Sequence, residues 1–173
     1  MGAYKERAMS LFMRLDKNHD GNIDPADLGI LARGTGDQRS DLARSTGQLV
    51  QGFIQDADRN KDSRASLDEL AACVDKSMAG TTPETLPTYV RDFASTLFVV
   101  MDTDKSGKVD KAGFEAYLKA QGTSVDVAGR EFEMLDRDHD GFLTRDDIQG
   151  AAHAFFTAPD GAPAFWLLAA VPA

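Results

Sequence analysis

Basic residues are in the minority: 19 Lys and Arg stand against 28 Asp and Glu, a formal charge of −9. That balance argues against a basic patch for nucleic acid or an anionic membrane surface, and it fits a protein that binds cations. The sequence has one cysteine, so Cys73 has no intrachain partner. This suits a reducing compartment, and Cys73 reads as a buried structural thiol and not as a redox centre. Long apolar runs are missing as well. The most apolar segment, Ala164 to Val171, falls far short of the roughly 20 residues that span a bilayer. The charged start around Lys5, Glu6 and Arg7 is followed by no apolar run, so no signal peptide is expected. Glu6 stands where a myristoylation pattern needs Ser or Thr. No nucleophile–base constellation and no phosphate-cradling glycine motif stands out, so an enzyme is not expected. The 173 residues suffice for one sizeable domain or two small lobes, and a soluble cytoplasmic monomer is the expectation.

What is present instead is a repeated acidic pattern of twelve residues. From Asp136 to Asp147, carboxylates stand at places one, three and five (Asp136, Asp138, Asp140), followed by Gly141, and an acid closes the run at place twelve. Alternating acids on a tight turn aim their oxygens at one centre, which suits a hard dication that takes six to eight oxygens at about 2.3–2.6 Å. Gly141 stands where the chain must turn sharply, a bend that glycine makes at little steric cost. The pattern matches the EF-hand calcium loop except that Asp147 replaces the closing Glu. A second copy runs from Asp16 to Asp27, with Asp16, Asn18 and Asp20 at one, three and five, Gly21 at the turn and Asp24 at nine.

Two further copies are less regular. Starting one at Asp56 would put Leu67, with no side-chain oxygen, at place twelve. Starting it at Asp58 puts Asn60 and Asp62 at three and five and Glu69 at twelve, and this is the register we take. In it Ser63 replaces the turning glycine and Ala65 the usual branched aliphatic, both at a cost in loop stability. The copy from Asp102 to Gly113 begins well, with Asp102, Asp104, Ser106 and Asp110, but glycine stands where the closing acid belongs. Glu115 comes two residues late. This loop is expected to bind weakly or to stay empty beside its neighbour.

The loops start at 16, 58, 102 and 136, so their spacings are 42, 44 and 34. Amphipathic helices flank them. Inward faces are read at Ala8, Leu11, Phe12 and Leu15, at Leu28, Leu31 and Ala32, and at Leu42, Leu49, Val50, Phe53, Ile54 and Ala57. They continue at Leu70, Cys73 and Val74, at Val90, Phe93, Ala94, Leu97, Phe98 and Met101, and at Phe114, Tyr117 and Leu118. The last are Val127, Phe132 and Leu135, then Ile148, Ala151, Ala152, Phe155 and Phe156. The helix that leaves loop one, with Leu28, Leu31 and Ala32, should stop near Gly34–Gly36. Gly122 should stop one helix, and Thr123-Ser124 should cap the next. Thr81 to Pro87 reads as a turn-rich linker between an N-terminal pair (1–80) and a C-terminal pair (84–157), with an apolar tail at 158–173.

With four loops, this spacing and a Phe165-Trp166-Leu167-Leu168 ending, the chain resembles the four-EF-hand calcium-binding proteins of the sarcoplasmic type and their bacterial relative calerythrin. The resemblance implies a compact all-α fold of two EF-hand pairs, with a short antiparallel strand pair joining the loops of each pair. It also implies one defunct loop, and a calcium buffer or, in some members, a sensor.

Three working sites are expected. Loop one would bind through Asp16, Asn18, Asp20, Asp27 and the carbonyl of Asn22. Loop two would use Asp58, Asn60, Asp62, Glu69 and the carbonyl of Arg64. Loop four would use Asp136, Asp138, Asp140, Asp147 and the carbonyl of Phe142. Place nine (Asp24, Ser66, Thr144) would act through water. The corresponding positions of loop three are Asp102, Asp104, Ser106 and Lys108. The shorter Asp27 and Asp147 favour lower coordination, so Mg²⁺ is expected to compete at loops one and four. His19 and His139, at place four, point outward, and His153 lies at a helix surface or core edge. The six methionines, at 1, 9, 13, 78, 101 and 134, are too scattered for a Met-rich target groove, which leans toward a buffer or a sensor with a narrow partner range. A module whose ions only hold the fold is the remaining reading.

Overall fold

The computed structural model describes residues 3–27 and 37–157. Seven helices of ten residues or more lie within them. They are α1 (Ala3–Leu15), α2 (Asp37–Ala57), α3 (Leu67–Met78), α4 (Thr88–Met101), α5 (Lys111–Ala120), α6 (Val125–Leu135) and α7 (Arg145–Thr157). Four two-residue strands separate them: β1 (Asn22–Ile23), β2 (Ala65–Ser66), β3 (Val109–Asp110) and β4 (Phe142–Leu143). The helix leaving loop one is described only through its first turn at 25–27. Leu28, Leu31 and Ala32, the stop near Gly34–Gly36, and the tail with Trp166 lie outside the described residues.

The fold is all-α with two antiparallel strand pairs, β1 with β2 and β3 with β4. The register is equivalent in both. Ile23 faces Ala65 and Val109 faces Leu143, so place eight of one loop always meets place eight of its partner. All four of these residues are buried. Ala65 is therefore a small residue at a core position, opposite the larger Ile23.

The inward stripes read from the sequence form one continuous core, with Phe53, Phe93, Phe114 and Phe156 all but sealed from solvent. Burying each such side chain contributes about 1.5–3 kcal/mol. The core does not stop at the boundary between the halves. The rings of Phe53, on α2, and Tyr89, on α4, meet edge to face with centroids 5.1 Å apart, and Phe53 also lies 6.0 Å from Phe156 of α7. Two stripe details differ from expectation. Val127 is only half-buried, and its neighbour Ala128 takes the inward place on α6. Met78 and Leu86 join the core from outside the expected stripes.

The helix ends follow local chemistry. Gly122 adopts φ +86, while the Thr123 and Gly122 N–H groups donate to the carbonyls of Leu118 and Lys119, closing α5 in a Schellman turn. Ser124 occupies the cap position of α6, but its hydroxyl makes no bond to the helix. The linker is held down at two points, by the buried Leu86 and by His153 Nε2, 2.7 Å from the Thr81 carbonyl, and the Leu86 N–H donates to the Thr82 carbonyl within it. Among the described residues no helix is long and apolar enough to cross a membrane.

Candidate metal centres

The four loops share one backbone shape. Place four is left-handed in each, at His19 (φ 58), Lys61 (φ 62), Lys105 (φ 57) and His139 (φ 56). Place six is left-handed too, at Gly21, Ser63, Gly107 and Gly141. Ser63 holds φ +66 without being glycine, a strain of about 1–2 kcal/mol. His19 and His139 are exposed, as expected of place four, and His153 is half-buried at the core edge.

The first carboxylate of each loop organises the turn by accepting the N–H groups of places five and six. Asp16 accepts from Asp20 and Gly21 at 3.2 and 3.1 Å, and Asp58 from Asp62 and Ser63 at 3.1 and 2.9 Å. Asp102 accepts from Ser106 and Gly107, both at 3.0 Å, and Asp136 from Asp140 and Gly141 at 3.2 and 3.0 Å. The Asp58-started loop makes these bonds as the others do, and its place eight, Ala65, pairs with Ile23 of loop one. In loop four, oxygens of Asp136, Asp138 and Asp140 come within 4.8 Å of one another, an all-oxygen donor set of the kind a hard dication takes.

The closing acids differ. Asp27 is fully buried: Oδ1 accepts the Lys17 and Asn18 N–H groups at 2.8 and 3.2 Å, and Oδ2 accepts that of Asp24 at 2.8 Å. Glu69 Oε2 accepts the N–H and hydroxyl of Ser66 at 3.0 and 2.8 Å, and the Ser66 hydroxyl accepts the Glu69 N–H, forming a capping box at the start of α3. These bonds from Ser66 hold the Glu69 carboxyl below its ordinary range. Asp147 Oδ2 is bound in the same way by the N–H and hydroxyl of Thr144, at 2.8 and 2.6 Å. In loop three Asp110 accepts the Gly113 N–H at 2.7 Å and no closing carboxylate answers it. Glu115 does not stand in, since its carboxylate lies against Gly129 on α6. A hollow of about 320 Å³ opens beside the loop, lined by Met101, Asp104, Lys108, Gly113 and Phe142 among others.

Two models of the EF-hand family match this sequence, an EF-hand domain pair over residues 5–74 and a single EF hand over 94–115 and 130–150. The chain belongs to the EF-hand family. Together the matches enclose all four loops, and the function that goes with these EF-hands is calcium binding. The fold is that of the sarcoplasmic calcium-binding protein of amphioxus, with a TM-score of 0.68 over 97% of this chain and 96% of the other at 22% identity. A calcium-binding protein of Streptomyces coelicolor aligns at 28% identity and a TM-score of 0.68, over 90% of this chain and 99% of that one. The calcium-binding allergen Ole e 8 of Olea europaea is 30% identical over 101 residues, 55% of this chain. The match spans about half the length of that curated relative, 54%.

Sequence reasoning missed the bridges between paired EF-hand loops. Arg64 Nε of loop two lies 3.8 Å from Asp24 Oδ2 of loop one, and Lys108 Nζ of loop three lies 3.5 Å from Asp140 Oδ2 of loop four. The signal was available: a base at place seven sits beside the paired place eight, where a strand partner brings the other loop within reach.

Proposed function

We propose that the chain is a calcium buffer or carrier with three working loops. Loop one would hold the ion through Asp16, Asn18, Asp20, Asp27 and the Asn22 carbonyl. Loop two would use Asp58, Asn60, Asp62, Glu69 and the Arg64 carbonyl, and loop four Asp136, Asp138, Asp140, Asp147 and the Phe142 carbonyl. Loop three, without a closing acid, is the weak or empty member that completes a strand pair. Mg²⁺ competes where Asp27 and Asp147 close the loop, because the shorter side chain favours fewer ligands. The chain works as a cytoplasmic monomer, divided at the linker into an N-terminal and a C-terminal pair, and it carries no catalysis of its own.

The observation that carries the buffer reading is the packing of one half on the other. A sensor offers an apolar groove to a target helix when calcium binds. Here the apolar faces of α2 and α4 cover each other, with Phe53 between Tyr89 and Phe156. The large apolar side chains left exposed among the described residues (Met9, Met13, Val99, Val125, Met134 and Phe142) are spread over three helices and a strand. One observation favours a sensor: the Streptomyces coelicolor protein is described in terms of prokaryotic calcium-mediated regulation.

Binding of a hydrophobic dye to the apo, Mg²⁺ and Ca²⁺ forms separates the two. The buffer reading expects either ion to lower dye binding equally. Higher dye binding in Ca²⁺ than in Mg²⁺ would overturn it in favour of the sensor. Calorimetry on the same samples should count about three calcium ions per chain, as a loop inventory with one incomplete site requires.

A further inference from the structure

The acids and bases of the four loops are distributed unevenly, and the unevenness is matched across each strand pair. At places one, three, five, nine and twelve, loop one carries Asp16, Asp20, Asp24 and Asp27, and loop four carries Asp136, Asp138, Asp140 and Asp147. Loops two and three carry three acids each at those places: Asp58, Asp62 and Glu69, then Asp102, Asp104 and Asp110. Place seven is basic only in the three-acid loops, as Arg64 and Lys108. Both bases reach away from their own loop into the four-acid partner.

The register explains the reach. Ile23 pairs with Ala65, so the next residues along the ladder, Asp24 and Arg64, stand across from each other. On the other side Asp110 pairs with Phe142, and Lys108 folds over that ring at 5.0 Å from its centre before meeting Asp140. Lys108 thus touches both the carboxylate at place five of loop four and the side chain at its place seven, whose carbonyl is another expected ligand.

We propose that Lys108, and by the same design Arg64, is an affinity-setting residue. Each is a tethered cation that trims a four-acid loop to an effective charge of −3 and so weakens its hold on Ca²⁺. The inference rests on loops one and four binding calcium. The Lys108 ammonium lies 3.5 Å from Asp140 Oδ2, so a dication held by that carboxylate would be repelled by it, and twice as strongly as a single charge. Lys108 is half-exposed, so water and salt reduce the effect without abolishing it.

The test is calcium calorimetry on the full chain at low and high salt. Asp136→Asn identifies the loop-four event by removing it. Lys108→Met is expected to tighten that event about three- to tenfold at low salt, with the gain shrinking at high salt. Lys108→Arg is expected to keep wild-type affinity, which separates charge from packing. Lys108→Gln, which keeps the polar surface, should tighten binding as Met does and covers the case of a Met variant that folds poorly. An unchanged or weaker affinity in both neutral variants overturns the proposal while leaving loop four a calcium site. If Asp136→Asn removes no binding event from the wild type, the calcium reading of loop four fails, and this inference falls with it.

Discussion

Gly52 sits in the middle of α2, where a glycine costs about 1 kcal/mol relative to alanine. Its place is explained by Tyr89. A Cβ on residue 52 would come within 2.3 Å of the first ring carbons of Tyr89, Cγ and Cδ1. Those atoms are at the root of the side chain, so the ring cannot swing aside without leaving its rotamer or pushing α4 away. Gly52→Ala therefore displaces Tyr89. That removes the 2.7 Å hydrogen bond from the Tyr89 hydroxyl to Asp56, worth about 1.5 kcal/mol with a charged acceptor. It also removes the edge-to-face contact with Phe53, worth about 1 kcal/mol. After the roughly 1 kcal/mol gained in helix propensity, and with residual overpacking, the net loss is about 1.5–3 kcal/mol. With Tyr89→Ala already in place the sign should invert, and Gly52→Ala should stabilise by about 1 kcal/mol. Urea denaturation of the four proteins of this cycle, in excess calcium and again in excess chelator, gives a coupling of about 3 kcal/mol if the reasoning holds. A neutral or stabilising Gly52→Ala with Tyr89 intact would refute it.

Three further outcomes are expected. Cys73 is buried and desolvation raises its thiol pKa, so thiol reagents should modify it about 100-fold more slowly than in the unfolded chain; equal rates would place it at the surface. Asp147→Glu should let the closing acid of loop four bind with both oxygens, tightening calcium about tenfold and weakening Mg²⁺ competition, as read by calorimetry in millimolar Mg²⁺. Gly113→Glu should not create a fourth site of equal strength: its Cβ would stand 3.2 Å from both Asp110 Oδ1 and the Met101 carbonyl, so it disturbs the cap of α5 and costs about 1 kcal/mol in a melt.

The loops and their flanking helices were legible because both are written in local terms. Asp58 and Glu69 lie eleven residues apart, and only that spacing puts oxygens at both ends of loop two, so its register followed without a view of Ile23 across the strand pair. Helical stripes such as Leu49, Val50, Phe53 and Ile54 followed from a 3.6-residue period. What stayed hidden depends on neighbours distant in sequence. Gly52 looks like any mid-helix glycine until Tyr89, 37 positions on by subtraction, is placed on it. Leu86 looks like part of a linker until the core closes over it. Lys108 and Arg64 look like solvated loop bases until the partner loop arrives. Ser124 shows the reverse error, a residue with the right local chemistry for a cap that its geometry leaves unused.

These distant contacts join the loops into one mechanical series. Loop one is tied to loop two through β1 and β2, and loop three to loop four through β3 and β4. Loop two is entered by α2 and loop three by α4, the two helices that Gly52, Phe53, Asp56 and Tyr89 hold together. Asp56 lies only two residues before Asp58, so the tyrosine hydrogen bond ends almost at the first acid of loop two. A movement of α2 large enough to open the N-terminal pair must break the Tyr89 seat and expose Phe53, a cost of several kcal/mol on top of the opening itself. The two halves should therefore unfold in one transition, with calorimetric and van't Hoff enthalpies that agree. Two separated transitions in the wild type would mean that the seat transmits nothing. Their appearance only after Tyr89→Ala would locate the coupling in that side chain.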